Sequence, residues 1–235
     1  MISKTTAKQR ATQLREILAD LGHTLNHAHA LETVARQNGY RDWNTCSAAL
    51  ERSADLLPPP TGWTAGGDRR EHYEIGLDAS QTVNGAHPAV IRYRETAPKD
   101  GTGFATFVQT FDAVKYCGHR VRFSTELKAV DCDGAVTLWF RADSASRQAV
   151  AFDNLEANGV GHDNGPITGT TDWSARTIVL DVPDDAVKVS MGFYLRGTGA
   201  GYVNGFALNL VSHDVPVTVG AHLSTGDPVN LSLKT

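Results

Sequence analysis

The strongest hydrophobic pattern in this chain has a period of two. From Val187 to Arg196 the residues Val187, Val189, Met191, Phe193 and Leu195 alternate with Lys188, Ser190, Gly192, Tyr194 and Arg196. That is the pattern of a strand with one buried face. The stretch Gly134 to Asn154 opens in the same way, with Val136, Leu138 and Phe140 on one side and Thr137, Trp139 and Arg141 on the other. In both segments the side away from the core carries an aromatic ring and an arginine. Such a face suits binding, because a ring supplies contact area and a guanidinium supplies directed hydrogen bonds.

Alternating runs separated by glycine and turn residues recur from Gly62 onward. They predict strands at Tyr73 to Leu77, Ala89 to Arg94, Phe104 to Phe111, Arg120 to Leu127, Ala135 to Ala142, Ala149 to Phe152, Ala175 to Asp181, Val187 to Arg196 and Gly201 to Leu210. Nine such strands fit an antiparallel β-sandwich or jelly roll of two sheets. The first 57 residues have a different texture. Leu14, Ile17, Leu18 and Leu21 fall on one face of a helix from Thr5 to Leu21, with Gly22 as its cap. Asn26 caps a second helix whose inner face carries Ala30, Leu31, Val34 and Ala35 and which stops at Gly39. Asp42 caps a third, from Trp43 to about Arg52, burying Trp43 and Leu50. Pro58-Pro59-Pro60-Thr61-Gly62 breaks any helix, so the expected organisation is a helical unit (1–57), a linker (58–62), a sandwich (63–211) and a C-terminal extension (212–235). In that extension the runs Val215 to Val219 and Val229 to Leu233 suit an edge hairpin or pairing with another subunit.

Composition narrows the partners. With 22 basic and 26 acidic residues the formal net charge is -4, so no global field favours nucleic acid and only a local patch could bind it. No stretch approaches the roughly 20 apolar residues of a membrane span, and the N-terminus lacks an apolar signal core. Cys46, Cys117 and Cys132 have no metal-type spacing and read as free thiols in a reducing cytoplasm. Among His23, His27 and His29, residues two apart do not share a helix face and no third ligand pattern accompanies them, so they read as surface or capping histidines and no metal is expected. No phosphate loop, HExxH or dinucleotide fingerprint is present, and no cofactor is expected.

The residues LNHAHALETVARQNGYRDWNTCSAAL, Leu25 to Leu50, resemble the short helical domain called glyoxalase-related, in the order His, Ala-Leu, Val-Ala-Arg, Gly-Tyr, Asp-Trp-Asn and Ser-Ala. This resemblance covers about the first 55 residues and implies little about activity, since the metal-binding β-α-β units of a glyoxalase are absent. The Val34-Ala35 to Gly39-Tyr40 step also resembles a helix-turn-helix of AraC-type regulators. Its third helix offers Asn44, Thr45 and Ser47, flanked by Arg41 and Arg52, but seven basic residues through Leu57 stand against six acidic ones.

The phrases GTGFATFVQTFDAVKYCGHRVRFSTELKAVD, GAVTLWFRADS, AFDNL, ITGTTDWSARTIVLDVPDDAVKVSMGFYLRGTG and YVNGFALNLV are similar to a bacterial galactose-binding-like or carbohydrate-binding-module-like sandwich, found alone and appended to AraC-type regulators. That resemblance implies a non-catalytic domain with a ligand face. Two features depart from it. Tyr202, Asn204 and Gly205 stand where Trp-x-Asp-Asp is usual, and the loop from Leu155 to Pro166 is longer than usual, which suits either a lid or a surface excursion.

The candidate site is therefore Trp139, Arg141, Tyr194 and Arg196, extended by Gln109 and Glu126 and by Asp153-Asn154. The last pair either orients a ligand or bridges to Arg141, or else satisfies loop backbone. Trp173 reads as a core or rim anchor. Cys117 with His119 offers a nucleophile and base but nothing that would lower the thiol pKa. Three functions follow: a binding protein for a small polar ligand or saccharide, a regulatory protein whose helical unit contacts nucleic acid or protein, and an enzyme needing an acid-base pair in the sandwich cleft.

Overall fold

A computed structural model describes residues 4–54 and 56–218. The predicted run from Val229 to Leu233 lies outside the described residues, as does the side chain of Arg52. Three helices come first: α1 (Lys4–Asp20), α2 (His27–Gln37) and α3 (Trp43–Ala54). The Asn26 side chain accepts from the backbone N–H of His29 at 2.8 Å and Asp42 Oδ1 accepts from that of Thr45 at 2.8 Å, the two predicted N-caps. The Thr45 N–H holds the Asp42 carboxyl down at about 2. Gly22 and Gly39 end their helices at positive φ, where a side chain would be strained.

Helix α1 departs from the expected face. Ile17 and Leu21 are exposed, whereas Ala7 and Ala11 are fully buried against Ala30, Leu31, Val34, Ala35, Cys46 and Leu50. Ala7 and Ala11 share their face with the half-buried Leu14 and Leu18, so two of the four expected positions hold and the stripe continues through alanines that let the helix axes approach closely. Trp43 packs partly buried against the same cluster. No helix among the described residues is long and apolar enough to cross a membrane.

Beyond the helices the chain is antiparallel β: β1 (Leu56–Leu57), β2 (Trp63–Asp68), β3 (Tyr73–Asp78), β4 (Ala89–Tyr93), β5 (Phe104–Asp112), β6 (Arg120–Ser144), β7 (Ala149–Asp153), β8 (Ile167–Asp181), β9 (Ala186–Arg196) and β10 (Ala200–Val211). The two predicted strands Arg120 to Leu127 and Ala135 to Ala142 are one strand. The first half of β6 lies between β10 and β8, and its second half between β9 and β7. One sheet therefore runs β1-β3-β4-β10-β6-β8 and the other β2-β5-β9-β6-β7, with β6 common to both. β1 and β2 were not predicted: two residues are too few to show a period, and Gly66-Gly67 dilutes the other.

Where β6 turns from one sheet to the other, its alternation changes phase. Val121, Phe123, Leu127 and Ala129 point inward in the first half, and Val136, Leu138, Phe140 and Ala142 in the second, all at 1% exposure or less. Odd positions are inside before the corner and even ones after it. Asp131, held at φ 48, and register shifts against β8 between Leu127 and Val136 supply the extra residue, as a bulge does. The core between the sheets is built from these residues together with Phe107, Ile178, Leu180, Phe193 and Leu195.

The open side of the sandwich, between β7 and β8, is closed by Asp153. This buried carboxylate accepts from the Leu155 N–H at 2.9 Å and from the Thr218 hydroxyl at 2.7 Å, while Thr218 also accepts from the β8 N–H of Val179 at 2.9 Å.

The corner generates a prediction. A Cβ placed on Gly134 would stand 2.1 Å from the Arg196 carbonyl oxygen. Gly134→Ala should therefore destabilise the sandwich by about 1–3 kcal/mol, the usual cost of forcing atoms into a packed site, read as a lowered denaturation midpoint in urea.

Candidate functional site

The β9 and β6 register places the predicted aromatic and arginine residues on one outer face. Tyr194 stands opposite Thr137, Gly192 opposite Trp139 and Ser190 opposite Arg141, with β5 contributing Phe104 beside Arg196 and Thr106 beside Tyr194. Strand β7 adds Phe152 opposite Arg141, and β2 adds Asp68 opposite Phe104. The resulting cleft of about 740 Å³ is lined by Trp139, Arg141, Asn154, Tyr194, Arg196 and, beyond the predicted set, Gly67, Asp68, Phe104, Thr106, Phe152 and Glu156. Phe104 and Phe152 are 38% and 42% exposed, unusually open for rings on a sheet.

Trp139 forms the floor. Its indole N–H donates to the Thr106 hydroxyl at 2.8 Å, and Thr106 donates in turn to the Phe193 carbonyl at 3.0 Å. Thr106 lies on β5 and Trp139 on β6, with β9 between them. The indole must therefore cross β9 at its cross-strand neighbour Gly192, where no side chain stands in the way.

One end of the cleft is a polar network. The Tyr194 hydroxyl donates to Glu156 Oε1 at 2.7 Å and accepts from Asn154 Nδ2 at 3.3 Å, and Arg196 Nη1 lies 2.7 Å from the same Glu156 oxygen. Asn154 is fixed by the Thr137 hydroxyl, which donates to its carbonyl at 2.8 Å, and its own Oδ1 accepts from the Glu156 N–H at 3.1 Å. Burial, then the Glu156 hydrogen bond and charge, push the Tyr194 hydroxyl well above the usual tyrosine range. At the other end Arg141 Nε donates to Asp143 Oδ1 at 2.6 Å, and Lys188 stands 3.6 Å from Asp143 Oδ2.

Three expectations change. Asp153 faces the junction between the sheets and makes no part of the cleft, and the carboxylate that pairs with Arg141 is Asp143. Gln109 shares the inward parity of Phe107, and Glu126 lies on the other sheet, where it accepts from Asn204 at 3.1 Å. Glu156, which periodicity could not reveal, is brought in by the long loop. Leu155 at φ 60 buries its side chain and turns the chain, while Asn164 binds both backbone groups of Thr177 at 2.8 and 2.9 Å, so the loop is tied down at both ends.

The remaining chemical candidates are occupied otherwise. The Cys117 thiol donates to the carbonyls of Ala113 and Ala186 at 3.3 and 3.0 Å. Trp173 packs beside Val90, Ala200 and Tyr202 with the Lys128 ammonium 5.9 Å from its ring centre, on the outer face of the other sheet. Among the described residues no three His, Cys, Asp or Glu side chains are grouped to hold a metal ion. The helical unit sits over the other sheet: Asn38, Tyr40 and Leu50 face Glu74, Arg92, Arg94 and Tyr202 across a cavity of about 850 Å³, and none of the residues lining the Trp139 cleft comes from α1, α2 or α3.

The raised Tyr194 pKa has a consequence for stability. A tyrosine that ionises near pH 10 when unfolded but higher when folded stabilises the fold below pH 10, and that contribution is lost as pH rises beyond it. Tyr73, buried and donating to the Gly103 carbonyl at 2.8 Å, is raised as well. In urea titrations Tyr194→Phe should be less stable than the parent by about 1 kcal/mol at pH 9, for the lost hydrogen bond. At pH 11 that gap should narrow, because only the parent has this tyrosine to ionise.

A family profile described as "Glyoxalase superfamily protein" matches residues 1–89. The "Uncharacterized HTH-type transcriptional regulator YbfP" of Bacillus subtilis (strain 168) is 34% identical over 177 residues, 74% of this chain and 56% of that protein. The chain thus spans little more than half the length of this relative. Among solved structures, the enzymatically active domain of bacteriophage CBA120 tailspike protein 4 aligns with a TM-score of 0.47 and 16% identity over 64% of this chain and 20% of that one. The CBM22-1 xylan-binding domain from Paenibacillus barcinonensis Xyn10C aligns with a TM-score of 0.44 and 12% identity over 66% of this chain and 90% of that domain.

Proposed function

We propose that this protein is a binding protein whose sandwich takes a small polar ligand of the saccharide class in the Trp139 cleft, without transforming it. The observation that carries this reading is the pinned indole floor between two exposed phenylalanines, on the sheet that the helices leave open. Sugars suit such a surface because their C–H faces stack on aromatic rings while their hydroxyls meet planar hydrogen-bonding groups. Arg141, Asn154, Glu156 and Arg196 supply those groups at the two ends. An acid-base role would need a group poised near neutrality. Burial and the Glu156 carboxylate push the pKa of Tyr194, in the cleft, up and away from that range.

A regulatory reading is favoured by one finding, the 34% identity to a protein named as an HTH-type transcriptional regulator. In that reading the cleft is the sensor and the helical unit contacts nucleic acid or protein. Arg41, just before the α3 cap, is already paired with Asp42 at 2.8 Å, so a nucleic-acid contact would have to displace a carboxylate.

Two measurements test these readings. Calorimetric titration with a panel of oligosaccharides should find a binder whose affinity drops ten- to a hundredfold in Trp139→Ala while the melting curve stays cooperative; an unchanged affinity would sink the binding role of this cleft. For the regulatory reading, a DNA mobility shift should be present at low salt and fade steeply as salt rises. No shift at low salt removes its nucleic-acid form.

A further inference from the structure

The charge inside the Trp139 cleft closes on itself. Arg141 and Arg196 line it with Asp68 and Glu156, two cations against two anions, and at the Arg141 end Asp143 and Lys188 add one of each sign. Arg196 pairs with Glu156, and Arg141 with Asp143, each at 2.6 to 2.7 Å. An anionic ligand would find both guanidinium groups already neutralised and would meet the Glu156 carboxylate as well. A neutral ligand meets neither penalty.

The Glu156 carboxylate is committed on one oxygen only. Oε1 receives both the Tyr194 hydroxyl and Arg196 Nη1, while Oε2 has no protein partner among the described residues. The remaining N–H groups of Arg196 likewise have no protein acceptor among the described residues, and its side chain is 55% exposed. An acceptor that can only accept thus stands beside donors that can only donate. Two neighbouring hydroxyls, one donating and one accepting, are the complement of that pair. Glu156 is also held in place, through its backbone N–H on Asn154 and through Tyr194, so little is lost in ordering it when a ligand binds.

The cleft is also long. Ala135 stands opposite Arg196, and Arg141 lies six positions further along the same strand, about 20 Å at the rise of a β-strand. Trp139, Phe104 and Phe152 are spread along that distance. A single sugar ring would touch only part of it.

From these three observations we propose that the cleft is selective for a neutral oligosaccharide of several units, gripped through a vicinal diol by the Glu156 and Arg196 pair and stacked along Trp139. This inference rests on the saccharide-binding reading above and narrows it to a ligand class and two specificity-determining residues.

The test uses the full chain and isothermal titration calorimetry with neutral xylo-, cello-, manno- and galacto-oligosaccharides of one to six units, alongside oligogalacturonates of matching length. A neutral series should bind, with affinity rising from one unit to at least three, and oligogalacturonates should bind at least tenfold more weakly. Glu156→Gln, which keeps an acceptor for Tyr194 but weakens the pair, should cost at least tenfold in affinity for the neutral binder with an unchanged melting temperature. The same binder methylated on its vicinal hydroxyls should lose at least as much on the parent protein. Equal or tighter binding of the oligogalacturonates, affinity already complete with one unit, or an undiminished Glu156→Gln variant alongside a Trp139→Ala variant that no longer binds would overturn this inference while leaving the cleft a saccharide site. Absence of binding by every saccharide would overturn the saccharide reading itself.

Discussion

The architecture depends on the phase change in the middle of β6. This strand has a partner on each side in both of its halves, β10 and β8 before the corner and β9 and β7 after it. A side-chain alternation continued without interruption from Val121 would send Trp139 and Arg141 into the core and Leu138 and Phe140 to the surface. The bulged corner around Asp131 to Gly134 prevents this by adding one residue to the count. The same few positions that allow one strand to serve two sheets therefore decide which face the site occupies. The crowding at Gly134, where the Arg196 carbonyl occupies the space of a side chain, follows from that sharing.

The site built on that face is rigid for identifiable reasons. Trp139 cannot swing freely, because its N–H is committed to a hydroxyl two strands away and its ring crosses a strand at a glycine. Tyr194, Asn154 and Glu156 hold one another through hydrogen bonds that also involve backbone groups. A polar network withdrawn from water stabilises only when its members are satisfied, and here the half-buried Tyr194 hydroxyl has both a donor and an acceptor. What remains uncommitted points into the cleft.

Much of this was legible in the residues because it is local. The β9 alternation, the helix caps at Asn26 and Asp42, and the placement of Trp139, Arg141, Tyr194 and Arg196 on the side away from the core all follow from periods of a few residues. What escaped is long-range or depends on a single backbone angle. The corner in β6 needs a register against β8 that no local pattern carries. Asp153 and Asn154 look equivalent in sequence, yet Asn154 lines the cleft while Asp153 closes the sandwich onto Thr218. Glu156 enters the cleft because Leu155 adopts a left-handed conformation that β-propensity does not foresee. In α1 half of the expected face holds, Leu14 and Leu18 being half-buried while Ile17 and Leu21 are exposed; the stripe continues instead through Ala7 and Ala11, which are weakly hydrophobic and whose advantage is closeness of approach, which appears only once a second helix is present.

The placement of the helices bears on how the two halves of the chain can influence each other. Leu56 and Leu57 pair with β3 directly after α3, so the connection leaves the helical unit against the edge of one sheet, while the Trp139 cleft opens from the other. The seam is mixed: Leu50, Val130 and Tyr202 line it together with the Arg94 and Glu74 pair at 3.3 Å on the sandwich side, facing Asn38 and Tyr40 across the cavity. Such a surface resembles a contact between domains that can shift, more than the continuation of a core. Asp131 lines that same cavity, in the corner of the strand whose next turns carry Trp139 and Arg141. Any coupling between a ligand in the cleft and the seating of the helices therefore has a short covalent route along β6, through a segment whose geometry departs from a regular strand.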